Sequence, residues 1–339
     1  DFTNLAAMPT DVGYKQQLLS HADTLTTRFK FMNRRLNELD GNINEYQSQN
    51  VTNANTIIAK IAQSNNEIAR LEIGAPGGAL DYRDERQSYL TELAKLMDFQ
   101  TQEGPTGRVD VFTLDTLGNK VVLVDGNTTG PALSFSGGQV FSGTSQVSLS
   151  GGSIHGYMQV QQVNMAEVRA MFDALARQLV NSVNAAYNPA SEAGKNFFNP
   201  AGLTCGTIAL DSSLNLNSLR ASVNATTTPG ANELANAVAA LHLANFSTAS
   251  GGSIDGTFTD QTSLIVLTVG NQTKNIEDNL EFQKLIDVMT QERRASISSV
   301  SINEEVTNIL TLQRAFQAIS RIMNIFDGLL EQLVLGMGH

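Results

Sequence analysis

The sequence predicts an α+β multidomain protein. N- and C-terminal helices would form a long, antiparallel, coiled-coil-like helical rod, and β-rich outer domains would be inserted between them. Two observations predict this fold class. Apolar residues repeat in a heptad rhythm near both ends of the chain, and short alternating apolar runs and Asn-, Thr-, Ser- and Gly-rich stretches fill the middle. An apolar period of 3.5 residues makes a narrow seam along a helix, which a partner helix must cover.

The N-terminal seam alternates steps of four and three residues. It comprises Leu18, Ala22, Leu25, Phe29, Met32, Leu36, Leu39, Ile43 and Tyr46. Polar or charged residues occupy most positions between these, as expected for a helix with one covered stripe. We predict that seven of the apolar residues form the core of the rod: Leu18, Leu25, Phe29, Met32, Leu36, Leu39 and Ile43.

The C-terminal seam has the same alternation, and we predict that it is an assembly interface. It comprises Leu312, Phe316, Ile319, Met323, Phe326, Leu330 and Leu333. An apolar helical stripe is more often core than interface, so a core role is the alternative for both seams. Their length favours packing between molecules, because so long a stripe exceeds what one compact domain usually buries.

Residues 1–97 are expected to form the first part of the rod, with one long helix over about 12–72 and a second over about 81–97. A break near residues 49–53 is the alternative, since Asn50 and Asn53 fall on seam positions, where polar residues cost stability and fix register. The Gly- and Pro-containing run 74–78 should end the long helix.

Residues 98–157 are predicted to form a β-rich domain. Residues 109–114 alternate apolar and polar side chains, residues 120–124 form a compact apolar run, and Leu117-Gly118-Asn119 supplies a turn between them. Residues 158–188 should return to the rod as a helix over about 164–187.

Residues 189–272 are predicted to be a β-rich or irregular outer domain, with a short helix at about 231–244 and a strand at Leu264–Val269. Residues 273–339 are expected to contain the C-terminal helices, at about 276–296 and 302–335. Ser301 and Glu304 have the spacing of a capping box, which would start the last helix.

Composition excludes several classes of function. The net charge of −11 over 339 residues argues against binding nucleic acid, which requires clustered Lys and Arg. No run of about 18 apolar residues exists, so no membrane span is expected. No secretory signal is visible at the N-terminus. The single cysteine, Cys205, is expected to be a small buried thiol without a disulfide partner.

Catalytic machinery is not evident in the sequence. The four histidines lie outside metal-binding spacings, and neither a nucleophile elbow nor a phosphate-binding loop occurs. His155, in a glycine-flanked setting, is the strongest candidate among them. The charged cluster at residues 81–86 is expected to form helix caps and local ion pairs rather than an acid–base pair. We therefore expect a protein that is not an enzyme, with no catalytic residue, metal site or cofactor.

Several segments resemble the bacterial flagellar hook-associated protein family FlgK, which joins hook to filament. The run 299–318 is similar to the family's C-terminal pattern, and Phe326-Asp327-Gly328-Leu329-Leu330 to its closing segment. Leu80-Asp81-Tyr82-Arg83-Asp84 resembles the start of the family's second helix, and Phe172-Asp173-Ala174-Leu175-Ala176 resembles a later one. Ser301-Ile302-Asn303 departs from the family's Asn-Leu-Asp.

The resemblance implies a structural subunit located outside the cell, at the junction of hook and filament, and exported through the flagellar type III channel. Its implied partners are copies of itself, the hook protein, the filament-side hook-associated protein and an export chaperone that binds the C-terminal helix. The family's N-terminal segment is expected to be missing here, so the chain should polymerise poorly.

Rival interpretations remain open at this point. Within the same class, the chain could be the filament-side junction protein or a divergent flagellin. A secreted enzyme or adhesin on a coiled-coil stalk is the alternative from another class, and titratable groups gathered around His155 would support it. A type III secretion translocator is a further alternative.

Overall fold

The computed structural model describes residues 1–73, 77–104, 107–223, 230–298, 309–314, 316–317 and 319. Contacts divide the chain into two units, Asp1–Gly270 and Asn271–His339. Helices in the described part are α1 Phe2–Ala7, α2 Val12–Leu71, α3 Leu80–Leu96, α4 Gly152–Gln159, α5 Ala166–Tyr187, α6 Glu233–Ala240 and α7 Phe258–Ser298. Strands are β1 Gln100–Glu103, β2 Val109–Asp115, β3 Lys120–Asp125, β4 Thr128–Thr129, β5 Leu133–Ser136, β6 Gln139–Ser142 and β7 Ser145–Ser148.

Helix α2 is continuous for 60 residues, a length of about 90 Å at 1.5 Å per residue. Its first turn is capped by Asp11, whose side chain accepts a hydrogen bond from the Tyr14 amide at 3.0 Å. The predicted long helix is therefore confirmed, and the alternative of a break at residues 49–53 is wrong. Asn50, one of the polar residues that suggested the break, donates to Ser153 Oγ at 3.3 Å on the facing helix.

A second long helical segment runs antiparallel to α2. It consists of α4, a π-helical segment at Val160–Met165 and α5. Arg169 on α5 fixes the pairing, because its guanidinium donates to Asn33, Asn37 and Asp40 on α2 at 3.2, 2.9 and 2.7 Å. This helical segment begins at Gly152, inside the range 98–157 that was expected to be β-rich. The prediction for residues 152–157 is therefore wrong.

The strands form a seven-stranded antiparallel sheet that packs against the C-terminal half of α2. Most strands follow the order β4-β3-β2-β7-β6-β5, and β1 pairs with the first half of β2. Alternate residues of β2 are buried, namely Val109, Val111 and Thr113, and they face the helix side of the sheet. The shared core contains Val51, Ala54, Ile58 and Ile61 of α2 together with Leu123, Val124, Val140 and Val147 of the sheet. The sequence prediction of strands and a turn between residues 109 and 124 is confirmed.

The N-terminal half of α2 packs in a different core. Leu18, Ala22 and Phe29 contact the α5 residues Leu175, Val180 and Val183, and the irregular segment after α5 closes over them with Phe197, Phe198, Cys205 and Ile208. Tyr187 and Phe197 pack edge to face with ring centroids 5.4 Å apart. Helix α6 covers the side of this core with Ala235 and Val238.

One strand prediction is wrong. Residues 264–269 lie inside α7, not in a strand. A short run rich in β-branched residues cannot be distinguished from helix by its periodicity alone, and the described part of 189–272 contains only isolated bridges, Phe198 to Leu210 and Phe246 to Gly256. The irregular part of the prediction for this region agrees with the structure, whereas the β-rich part does not.

Other predictions fall where the structure gives no description. Residues 74–76 of the helix-ending run and the capping box at Ser301 and Glu304 lie outside the described residues, as does most of the predicted helix 302–335. In the described part of Asn271–His339, residues 271–298 are helical and so are 309–314, 316–317 and 319. The bounds of the five predicted domains and the pairing of N- and C-terminal helices in one rod stay predictions.

The close packing of Gly152, the first residue of α4, against the end of α3 can be tested by substitution. Gly152 has a φ of +80°, and a Cβ there would lie 2.4 Å from the Leu96 carbonyl atoms and 2.5 Å from the Met97 nitrogen. Gly152→Ala should therefore lower the free energy of unfolding by more than about 2 kcal/mol, through backbone strain and overlap.

Gly156 is the matched control, because it lies four residues further along α4 and a Cβ there has no neighbour within 4 Å. Gly156→Ala should raise the free energy of unfolding by about 0.5–1 kcal/mol, as alanine favours helix over glycine. Urea denaturation of both variants measures the difference, and equal effects of the two substitutions would contradict this account of the junction.

Candidate assembly surface

The heptad seam of α2 is divided into a buried half and an exposed half. Leu18, Ala22, Phe29, Leu36 and Ile43 are buried. The other half, which we call the exposed row, consists of Leu25, Met32, Leu39 and Tyr46, whose exposed fractions are 39, 38, 50 and 56%. These four residues are spaced seven apart, so they form one line along the helix.

The antiparallel helix accounts for this division. Leu36 and Ile43 contact Met165 and Val168, and Leu18 and Phe29 lie in the core with α5. The one described contact of the exposed row with the facing helix is at its end, where Tyr46 stacks on Tyr157 with ring centroids 5.8 Å apart. Among the described residues, the antiparallel helix covers one flank of the seam, and the residues of the exposed row are between 38 and 56% exposed.

The predicted rod core is therefore brought together only in part. Leu18, Phe29, Leu36 and Ile43 are buried as predicted, although in two separate clusters. Leu25, Met32 and Leu39 are not core residues of the isolated chain. Their assignment to the core of a larger rod stays a prediction, because it requires a further helix.

The predicted C-terminal interface is described at three of its positions. Leu312, Phe316 and Ile319 are 70, 73 and 60% exposed. Met323, Phe326, Leu330 and Leu333 lie outside the described residues. Large apolar side chains this exposed need a partner surface, which agrees with the predicted role without testing it.

An apolar groove continues the exposed row at the N-terminal end of α2. It has a volume of about 290 Å³ and is lined by Leu25 together with Leu18, Leu179, Val183 and Phe258. His21 and His242 lie at its edge. Leu25 belongs both to the groove and to the exposed row, which spans 22 residues of α2 from Leu25 to Tyr46.

A polar node fixes the sheet to α2, and sequence reasoning missed it. Asn65 is fully buried. Its Nδ2 donates to the carbonyls of Val109 at 2.8 Å and Gly126 at 2.5 Å, and its Oδ1 accepts from the Val109 amide at 3.1 Å and from Arg86 at 2.8 Å. The amide group of Asn65 is therefore fully hydrogen-bonded and joins α2, α3 and the sheet.

Arg86 completes the node from helix α3. It is buried and donates to two neutral oxygens, Asn65 Oδ1 and the Gly107 carbonyl, the latter at 2.7 Å. Removal from water disfavours the charged guanidinium, so burial lowers the pKa of Arg86. The one available sequence signal was the position of Asn65, which lies on the apolar stripe between Ile61 and Ile68.

Arg83 forms an ion pair beside the node with Glu72, which follows the last residue of α2. Its Nε and Nη2 donate to the two carboxylate oxygens of Glu72 at 2.9 and 2.8 Å, and Nη1 donates to Glu103 at 3.2 Å. The Arg83 hydrogen bonds hold the pKa of Glu72 at about 2, below its ordinary value of 4.5. The prediction that the cluster at residues 81–86 pairs locally is wrong for Arg83, whose partners lie 11 and 20 residues away.

The described residues offer little for catalysis. No group of three metal-ligating side chains occurs among them, and no helix in that part of the chain has the length and apolarity to cross a membrane. His155 borders a pocket of about 170 Å³ whose other lining residues carry amides, hydroxyls and apolar groups. The titratable constellation that would support an enzyme on a stalk is therefore not found around His155 in the described structure.

Cys205 is buried as expected. Its thiol donates to the Phe29 carbonyl at 2.9 Å, and its amide donates to Asp173 Oδ1 at 2.7 Å. Burial raises the pKa of this thiol to about 11, with the Asp173 charge adding to the effect. A reactive role for Cys205 is thus disfavoured by its surroundings.

A long helix with a row of exposed apolar side chains, joined to a sheet by the buried Asn65 node, is typical of a structural assembly subunit. The model of the flagellar hook-associated protein FlgK helical domain matches residues 1–198. The chain therefore belongs to the FlgK family of flagellar hook-associated proteins, and is a component of the bacterial flagellum. A second model, the C-terminal region of the flagellar basal body rod proteins FlgEFG, matches residues 292–335.

The chain is similar to individual proteins over different shares of its length. The flagellar hook-associated protein 1 of Bacillus subtilis is 25% identical over 362 aligned positions, which cover 91% of this chain and 69% of the relative. The protein of the same name from Salmonella typhimurium is 28% identical over 133 positions, covering 38% of this chain and 23% of the relative. The solved hook junction protein FlgK of Burkholderia pseudomallei aligns with a TM-score of 0.48 and 23% identity, over 55% of this chain and 35% of that one.

The Asn65 node generates a stability prediction. Asn65→Ala removes four hydrogen bonds and leaves the buried Arg86 guanidinium and the Val109 amide without this partner, so the free energy of unfolding should fall by about 3 kcal/mol. Asn66→Ala, at the exposed neighbouring position, should change it by no more than about 0.5 kcal/mol. Chemical denaturation measures the free energy of unfolding of both variants. Similar decreases in the two would contradict a stabilising role for the hydrogen bonds of Asn65.

The Glu72–Arg83 pair generates a pH prediction. Because the pKa of Glu72 is lower in the folded state than in the unfolded chain, the pair stabilises the protein above pH 4.5, and this contribution is lost as the pH falls toward 2. Glu72→Gln should therefore flatten the fall of stability between pH 4.5 and 2. Thermal unfolding between pH 4.5 and 2 measures how steeply stability falls with pH. Glu45→Gln, a substitution at an exposed position of α2, is the control and should leave this dependence as in the wild type.

Proposed function

We propose that this chain is the structural subunit that joins the flagellar hook to the filament, and that it acts by packing, not by catalysis. The proposal is carried by the exposed row of α2, which is the kind of surface that a helical assembly uses. Family membership supports the same role, since the curated relatives are named flagellar hook-associated protein 1. Its proposed location is outside the cell, at the hook–filament junction.

The proposed partners follow from the surfaces that the chain leaves uncovered. Copies of the chain would contact each other along the exposed row, and the hook protein and the filament-side hook-associated protein would contact the two ends of the resulting ring. Identical subunits that use one surface against a different surface of the next copy build rings or open tubes. The C-terminal seam beginning at Leu312 is proposed as a second contact, and before assembly as the site of an export chaperone.

The energetics of the exposed row favour assembly on an existing end rather than in free solution. Its four side chains are about half exposed, so burying each contributes roughly 1 kcal/mol, and all four about 4 kcal/mol. Loss of translational and rotational freedom on association costs about 4–15 kcal/mol. A pair of free copies is therefore weak, whereas a copy that contacts several neighbours at once is held firmly.

The experiment that tests this proposal is deletion of the encoding gene in its host, followed by complementation with the full-length gene and its variants. Electron microscopy of the cells and an assay for flagellin in the medium report the result. Bare hooks with shed flagellin are the expected outcome of deletion. Normal filaments on the deletion strain would exclude the junction role.

A matched pair of variants then tests the exposed row itself. Leu39→Glu places a charge in the middle of the row, so the variant should fold normally but fail to restore filaments. Leu117→Glu is the control, because Leu117 is also exposed but lies in the turn between β2 and β3. If both variants fully restore filaments, the exposed row is not a contact surface. That result would not affect the proposed role at the junction.

A further inference from the structure

A pocket beside the Asn65 node is bordered by arginines. It has a volume of about 780 Å³ and is lined by residues from the end of α2, from α3 and from the turn that joins β1 to β2. Its charged lining residues are Arg70, Arg83, Arg108, Glu72 and Glu103. We call it the arginine pocket. Cations thus outnumber carboxylates in its lining, although the chain as a whole has 33 acidic and 22 basic residues.

Two of the three arginines are already paired with carboxylates. Arg83 uses Nε, Nη1 and Nη2 for its hydrogen bonds to Glu72 and Glu103. Arg70 donates from Nε and Nη2 to Glu67 Oε2, at 3.0 and 2.6 Å. Both glutamates that line the pocket are therefore held by Arg83, and the charge of the third arginine is not compensated by them.

Arg108 is this third arginine, and its side chain has no polar partner among the described residues. Its Nε is buried without a hydrogen bond. The residue is nevertheless held in place, because its carbonyl accepts a hydrogen bond from the Gly104 amide at 2.8 Å and its side chain lies against Gly126. A cation that is partly removed from water is costly unless oxygen acceptors surround it. Arg108 is therefore positioned for a partner that the described chain does not supply.

A second guanidinium contacts the residue next to Arg108. Arg86 donates to the carbonyl of Gly107 at 2.7 Å, and its other described acceptor is the side-chain oxygen of Asn65. Both acceptors are neutral, so neither compensates the charge of Arg86. Two positive charges in a partly buried place attract an anion more strongly than they would in open solvent, because water screens them less there.

We propose that the arginine pocket binds an oxyanion from outside the chain, either a carboxylate side chain of a neighbouring copy or a free anion of the same chemistry. Arg108 donates to two of its oxygens, as a guanidinium does to carboxylate or phosphate. Ile73, which lines the pocket and is 86% exposed, offers an apolar contact to the stem of a carboxylate side chain. The carboxylate source rests on the proposed function, because copies must meet, whereas the free anion does not.

The test uses inorganic phosphate as the probe and measures its binding to the full chain by phosphorus NMR titration at constant ionic strength. The unchanged protein should bind phosphate in the millimolar range. Arg108→Gln should weaken this binding by at least about tenfold, the loss expected when a hydrogen bond to a charged group is removed. The melting temperature of this variant without phosphate should stay unchanged, because the substitution breaks no described side-chain hydrogen bond.

Arg177→Gln is the matched control. Arg177 is an exposed arginine of α5 and does not line the arginine pocket, so the variant loses the same charge and should bind phosphate as the unchanged protein does. Absence of phosphate binding to the unchanged protein would overturn the proposal, and so would equal binding by Arg108→Gln.

Complementation of the deletion strain with the same two variants distinguishes the sources of the oxyanion. If Arg108→Gln fails to restore filaments while Arg177→Gln restores them, the ligand is a carboxylate of a neighbouring copy. If both restore filaments and only Arg108→Gln has lost phosphate binding, the ligand is a free anion. Normal filaments on the deletion strain itself would exclude the proposed function, and the phosphate titration would still decide whether the pocket binds an oxyanion.

Discussion

The single covered flank of α2 is the constraint on which the rest of this structure depends. The antiparallel helix α4–α5 covers the flank that contains Phe29 and Ile43, the sheet covers the C-terminal half around Ile58, and the flank of Leu39 stays exposed. In the described residues, α2 is thus packed along one flank, and the exposed row lies on the other.

Two buried polar residues of α2, Asn65 near its C-terminal end and Gln47 near its middle, are hydrogen-bonded to very different extents. Asn65 makes four hydrogen bonds and determines where the sheet sits on the helix. Gln47 is equally buried, yet its amide has no partner in the described structure. A polar group in an apolar seam specifies one register only when its hydrogen bonds are satisfied. The position of the sheet on α2 is therefore specified at Asn65, whereas the contacts near Gln47 come from its neighbours, through the Tyr46–Tyr157 stack and the hydrogen bond between Gln161 and Asn44.

Much of this fold could be predicted from local patterns. The heptad rhythm from Leu18 and the alternation at residues 109–114 placed α2 and β2 correctly, since both depend on the spacing of apolar residues. The run 264–269 was misassigned because β-branched residues occur in helices as well as in strands. Periodicity alone also does not tell which flank of a seam is covered, so Leu25 and Phe29 looked equivalent. The partners of Arg83 and Arg86 lie far along the chain, and a single sequence carries no signal for such pairs.

If copies of the chain assemble outside the cell as proposed, the surroundings of Cys205 have a consequence for how those copies associate. Disulfide exchange proceeds through the thiolate, and a thiol with a pKa of about 11 that is buried against the Phe29 carbonyl is almost entirely protonated at neutral pH. A reactive cysteine in every copy would allow neighbours to become covalently joined in arbitrary arrangements. With this sulfur enclosed in the core, the proposed association between copies would stay non-covalent, so a misplaced subunit could dissociate and bind again.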